Sequence, residues 1–397
     1  MPNLLIADVR PWGGEARDLL IADGRIREVR PTGTDPAGVE ARIDGRGLLA
    51  VPGFVNAHAH VDKSWWGMPW VPFGGDRGST QGRIAHERAV RDGLGIPSLS
   101  STVAVLREFL RHGTTAVRSH VDVDLGVGLR GIETVREAVA ELGGAIDVEI
   151  VAFPQDGVVR RPGVLELLDR AAAAGAEHIG GLDPASIDRD PVAQLDGLFE
   201  IAVRHDVGID IHLHDGAELG AFQLELIAER TVAAGRQGRV NIAHGFALGD
   251  LGPGRRAELV ARAAEAGLTW TTVAPVRTSP LPWREMRESD VAVGLGTDGI
   301  RDLWSPYGDG DLLAIAQTFA RLHGLVDEAE LTYAMELATR RAGRFVGRPE
   351  HDLVPGARAD LVLLDAENVP DAVVRRPVRE LVVAGGRVVA ERGEVLV

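Results

Sequence analysis

Asn56-Ala57-His58-Ala59-His60-Val61-Asp62-Lys63 is the stretch on which the reading of this chain turns. On an extended strand alternate side chains share a face, so His58 and His60 point the same way. The apolar run from Leu48 to Val55 leads into them and reads as a buried strand. Such a strand ends in two imidazoles aimed into one space, as a metal ion requires. Two polar residues in a loop are the plain alternative, and the remainder of the chain argues against it. Lys63 adds a second signal. It is the only lysine in a chain with 43 basic residues. Lysine is a compact, tunable point charge where arginine is a fixed planar fork, so a substrate-facing role is expected for Lys63.

Working outward, eight apolar strand-like runs alternate with Ala/Leu/Arg/Glu-rich helical segments: 49–58, 114–121, 147–154, 178–183, 207–213, 239–244, 268–275 and 291–297. Eight β-then-α repeats predict an α/β fold, a (β/α)8 TIM-like barrel, whose chemistry gathers at the C-terminal ends of its strands. Those ends carry His58 and His60, His120, Gln155, Asp183, His212 and His214, His244, and Asp298. Residues 1–50 and 347–397 read as short strands and hairpins. Neither end can bury a sheet face alone, so both are expected to combine into one small β-sandwich flanking a catalytic domain over 51–346.

Composition narrows the chemistry. There is no cysteine, which removes disulfides, thiolate nucleophiles and every Cys-ligated metal site. Any metal must be held by histidine and carboxylate. A net charge of −15 argues against nucleic acid, since phosphate needs a positive face. No apolar run reaches about 18 residues, so no membrane span is expected. The opening MPNLLIADVR lacks the basic start of a signal peptide. A cytoplasmic enzyme acting on a small molecule follows, with a homo-oligomer left open.

A single divalent metal, zinc first and iron(II) second, could be held by His58, His60, His212 and Asp298. Asp298 could also take a proton from water, while His214 and His244 are free to act as acid, base or oxyanion partner. Strand four offers no bridging lysine and only Asp183, which favours one metal over two. His112, His205 and His323 lie at the ends of helical runs and suit helix C-termini. His86, His178 and His351 show no partner pattern, and His120 has the right place but no fixed role.

Beyond these single residues, several longer stretches recur in order along nearly the whole chain: Pro52 to His60, Val117 to Val123, Val151 to Gln155, Asp210 to Asp215, Ala243-His244-Gly245 and Thr297 to Trp304. Together they resemble the amidohydrolase superfamily, its cytosine deaminase-like branch, and within that the enzymes acting on s-triazine rings. The resemblance implies a hydrolase that attacks a ring carbon of a pyrimidine-like or s-triazine-like N-heterocycle and displaces an exocyclic amine. It implies His58, His60, His212 and Asp298 as metal ligands, Gln155 as a ring contact, His244 as an aid to the attacking water or oxyanion, and Trp304 as a pocket wall. Cytosine deaminases carry a glutamate three residues after the strand-five histidine. Here Asp215 or Ala217 stands there, so His214 is expected to replace that proton shuttle. Gly299 follows Asp298 where relatives have a side chain, which implies a roomier pocket. The long aromatic segment 65–97, with Trp65, Trp66, Trp70 and Phe73, could cap a flat ring, brace a loop or meet a second subunit. Two other readings stand beside this one: hydrolysis of a cyclic amide or carbamate on the same barrel, and an inactive metal-binding relative.

Overall fold

The computed structural model describes residues 3–33, 36–76 and 78–397. Met1 and Pro2, the start of the opening segment read above, lie outside the described residues. The chain forms seventeen strands among the described residues. Four come first: β1 (Leu4–Pro11), β2 (Arg17–Ala22), β3 (Arg25–Pro31) and β4 (Ala41–Pro52). Nine follow: β5 (Phe54–His60), β6 (Thr114–Asp122), β7 (Asp147–Phe153), β8 (His178–Leu182), β9 (Gly208–Leu213), β10 (Val240–His244), β11 (Thr269–Thr272), β12 (Ala292–Leu295) and β13 (Asp298–Gly299). The last four are β14 (Leu361–Leu364), β15 (Arg379–Ala384), β16 (Arg387–Glu391) and β17 (Glu394–Val395).

Strands β5 to β13 make one curled parallel sheet in the order β12-β11-β10-β9-β8-β7-β6-β5-β13. Every residue of β5, β6, β9 and β10 is buried. Strands covered on both faces read as continuous apolar runs rather than alternating ones, and that is why the runs could be picked out. Helices pack outside. Leu99–Arg111 is typical: Ser98 caps its first turn by accepting from the Ser101 N–H, and Val105, Leu106, Phe109 and Leu110 form its buried face.

The two chain ends do combine. They form a single eight-stranded sheet, β17-β16-β15-β14-β4-β1-β2-β3, where two facing layers were expected. The reason is pairing: β1 bonds both β2 and β4, and β4 also bonds β14, so no free edge separates the ends. The sheet rolls back on itself. Ile26 N–H donates to Ala357 O and Ala359 N–H to Gly24 O, both at 2.9 Å. Leu4, Ile6, Ile21, Leu361, Leu363 and Val383 fill the enclosed core.

The expected run 49–58 is two strands in two sheets, broken at Gly53. A Cβ at Gly53 would lie 2.4 Å from Thr115 Oγ1, which no ordinary side chain tolerates. The Gly53 N–H donates to Asp360 O at 2.9 Å, and its carbonyl accepts from His351 Nε2 at 2.7 Å. The strand carrying the histidine pair is therefore pinned at its root by the C-terminal segment. Among the described residues no helix is long and apolar enough to cross a membrane.

Candidate metal and catalytic site

His58 and His60 end β5, His212 lies near the end of β9, His244 ends β10, and Asp298 opens β13 beside β5. Strand β5 and the residue that leads into β13 are tied by a reciprocal pair of bonds. Asn56 Nδ2 donates to Thr297 Oγ1 at 2.8 Å, and Thr297 N–H donates to Asn56 Oδ1 at 3.1 Å. That pair sets Asp298 against the histidines. His60 Nε2 stands 3.3 Å from His212 Nε2 and 3.4 Å from Asp298 Oδ1, while His58 Nε2 stands 3.5 Å from Asp298 Oδ1. Ligand atoms about 2.0–2.1 Å from a tetrahedral centre are about 3.3 Å apart, so the spacing fits a metal.

The chemistry of the donors fits as well. Both ring nitrogens of His58, and Nδ1 of His60, His212 and His244, are buried with no hydrogen-bond partner. Orphaned polar atoms of this kind are costly without a partner. His58, His60 and His212 form one group able to hold an ion, and His58, His244 and Asp298 a second, overlapping one. Burial, opposed by the contact with Asp298, pushes His60 down to about 3. Burial first, and the crowd of neighbouring imidazoles second, hold His212 well below its usual range. Neutral imidazole is the form that binds metal. Enclosure alone would raise Asp298, but the His58 and His60 contacts outweigh it and keep the carboxyl well below the usual carboxylate range. Its side chain is 41% exposed and faces the pocket.

His214 and His244 stack at 4.6 Å. Asp183, directly after β8, accepts from His214 Nδ1 at 2.7 Å and from the His214 N–H at 2.5 Å. Enclosure works against the imidazolium, yet Asp183 prevails and raises the His214 pKa above its ordinary value. Several of these positions are backbone outliers. Asp183, His244 and Asp298 have φ of 32°, 70° and 62°, the left-handed region that non-glycine residues seldom adopt and that clusters at functional sites.

The pocket above the cluster holds about 690 Å³ and is lined by Phe153, Gln155 and Trp304 among others. Lys63 also lines it, but at 2% exposure its ammonium is already committed. Nζ lies 2.8 Å from Asp122 Oδ1 and 3.5 Å from Glu87 Oε1, and donates to Gln155 Oε1 at 2.7 Å. Burial opposes its charge, but Asp122, Glu87 and Asp62 outweigh burial and raise its pKa above the ordinary lysine value. Burial pushes Asp62 and Asp122 up to about 7. Gly299 does not open the pocket. A Cβ there would meet Asp302 Oδ2 at 1.7 Å, so the Asp302 carboxyl fills that space.

In the aromatic segment, Trp65 donates from Nε1 to Asp302 O at 3.3 Å and meets Trp70 edge-on at 5.3 Å, while Arg301 stacks on Trp65 and Trp66. Those rings brace the loop. The pocket-facing part of the segment is the start of helix α1 (Thr80–Val90), where the N-cap Ser79, Thr80 and Arg83 line the pocket. His120 is fully buried at 4.3 Å from the His58 ring and 4.5 Å from the His212 ring, with neither nitrogen bonded. Glu87 and Asp122 were not singled out by the sequence as partners of Lys63. Asp183 was legible only as a weak bridging acid. Its signal was its place at a strand end beside His214.

Residues 99–390 match the model of the amidohydrolase family, described there as Amidohydro_3. The chain is 32% identical over 360 residues to the uncharacterized protein YahJ of Escherichia coli strain K12, covering 89% of this chain and 78% of that one. It is 28% identical over 377 residues to N-isopropylammelide isopropyl amidohydrolase of Pseudomonas sp. strain ADP, covering 90% of each. The crystal structure of N-isopropylammelide isopropylaminohydrolase from Burkholderia multivorans superposes with a TM-score of 0.94 at 43% identity over the whole of both chains.

Proposed function

The chain belongs to the amidohydrolase family, and on that premise we propose that it is a metal-dependent hydrolase that displaces an exocyclic amine from a ring carbon of a pyrimidine-like or s-triazine-like N-heterocycle. The observation that carries this reading is the His58–His60–His212–Asp298 cluster, with its 3.3–3.5 Å spacing, at the base of a pocket that also holds an Asp–His pair. Two of the relatives are named for action on N-isopropylammelide, which supports a heterocyclic amine as substrate. We read β12 and β13, three residues apart and paired to β11 and β5, as one eighth strand that closes a (β/α)8 barrel.

The four residues would hold one divalent ion, zinc or iron(II), which when bound supplies a Lewis acid able to lower the pKa of water towards neutrality. Everything else is the work of the chain. Asp298, held ionised by its histidine neighbours, accepts a proton at the carboxylate that faces the pocket. Asp183 grips His214 at Nδ1, so Nε2 is the nitrogen left to protonate the departing amine. His244, stacked on His214 and well below its usual pKa through burial and the His214 charge, stays neutral and can donate a hydrogen bond to a developing oxyanion. Lys63 has only donors, so the Gln155 atom it touches is the oxygen, and the amide NH2 is turned to the ring. Phe153, 4.2 Å from the His212 ring, and Trp304 supply flat apolar surfaces.

The test is amine release from a panel of aminopyrimidines and amino-s-triazines by protein loaded with one equivalent of zinc or iron(II). Release of ammonia or alkylamine is expected, with a loss of at least a hundredfold in kcat for Asp298→Asn and His60→Ala. Undiminished turnover in those variants would overturn the mechanism. Ring opening without amine would move the protein to cyclic-amide hydrolysis.

A further inference from the structure

The pocket is larger than a bare six-membered ring requires. Its volume of about 690 Å³ lies in the range of sites for drug-sized ligands. Its inner end is the imidazole cluster with Gln155 and Phe153. Its α1 side carries Ser79, Thr80 and Arg83. Three arginines of this segment can be compared. Arg88 is paired with Asp156 at 2.6 Å, and Arg91 with Asp124 at 2.7 Å. The Arg83 guanidinium has no hydrogen bond and no carboxylate partner among the described residues, in a chain with a net charge of −15. It is half-buried and rests 5.9 Å from the centre of the Trp304 ring. Trp304 is itself fixed by donating from Nε1 to Glu87 Oε2 at 2.5 Å. Stacking of this kind leaves the guanidinium's N–H donors free in the plane. Lys63, which also lines the pocket, is neutralised by Asp122 and Glu87.

Resting on the function proposed above, we infer that Arg83 determines specificity by receiving an anionic arm, a carboxylate or phosphonate-like group, carried by the heterocycle. The ring lies against Trp304 and Phe153 with its amine towards the cluster, and the arm turns outward along α1. A planar fork matches either oxyanion in a bidentate manner.

The test uses triazine rings in which oxo groups replace every exocyclic amine, so that no amine can leave. Three are compared by calorimetry with the metal-loaded protein: N-carboxymethyl, N-phosphonomethyl and N-ethyl. The wild type is expected to bind at least one anionic ring tenfold or more tighter than the N-ethyl ring, and the two anionic rings tell carboxylate from phosphonate preference. In Arg83→Gln the ratio should fall to within about twofold of unity, with partial recovery in Arg83→Lys. An unchanged ratio in Arg83→Gln overturns the inference. So does an equal loss for all three rings, which would make Arg83 a support for Trp304. If the preference holds while no amino-substituted ring releases amine, the proposed reaction fails and the anion site stands.

Discussion

Asp183 stabilises a charged His214 by sitting 2.7 Å from Nδ1, and the acid role proposed for His214 depends on that contact. Asp183→Asn keeps the size and loses the charge, so kcat should drop at least tenfold with bound metal unchanged by elemental analysis. An unaltered kcat would remove His214 from the reaction. Lys63 presents the opposite case. Its loss would leave Asp122 and Glu87 buried together with Arg91, 3.8 Å from Asp122, as the nearest remaining cation. Breaking one side of a buried ionic cluster costs about 3–5 kcal/mol, so Lys63→Met should lower the urea midpoint clearly. A variant of native stability whose substrate preference shifts would return Lys63 to direct contact with the substrate.

Helix α1 is held by charge more than by apolar burial. Its buried residues are Ile84 and Glu87, and Glu87 bonds Trp304 while lying beside Lys63. Glu87→Gln should therefore speed amide exchange across 80–91, measured by mass spectrometry, and leave exchange in β6 and β9 unchanged. Equal protection in both proteins would mean that the Arg88 and Arg91 pairs suffice. The contrast between α1 and the strands also explains what could be read from the sequence. Strands buried on both faces advertise themselves as apolar runs, and their C-terminal polar residues fall at the same end by construction. His58, His60, His212 and Asp298 were legible for that reason. The break at Gly53 was not, because the atoms that require a glycine belong to Thr115 and Asp360, remote in sequence. The partners of Lys63 were hidden likewise, since Glu87 sits on a helix with almost no apolar pattern. The lone lysine announced that it mattered without revealing to whom.

Across the whole molecule, eight histidines have pKa values lowered chiefly by burial: His60, His112, His120, His178, His212, His244, His323 and His351. A histidine with a depressed folded pKa contributes stability above its unfolded pKa near 6.5, and that stability is lost as the pH falls. Four carboxyls work the other way. Asp62, Glu87, Asp122 and Asp302 are raised by burial, so their contribution is present below about 4 and is lost as the pH rises through their folded values, about 6 to 7 for Asp62, Asp122 and Asp302. His214, raised by Asp183, joins the four carboxyls, and eight against five still leaves the unfolded chain binding more protons between pH 6.5 and 5. Metal-free protein should therefore lose stability on acidification from pH 7 to 5, by on the order of 1 kcal/mol per pH unit for each net proton. Urea midpoints measured across that range check the sign, and a midpoint that rises with acid would mean that the carboxyls prevail.

The peptide at Gly53 is bonded on one side to Asp360 and on the other to His351. During synthesis the histidine pair leaves the ribosome early, yet the strand that presents it is not clamped at its root until residue 360 has followed. The half-made chain thus carries the first two of the proposed metal ligands on a segment that still lacks its C-terminal anchor.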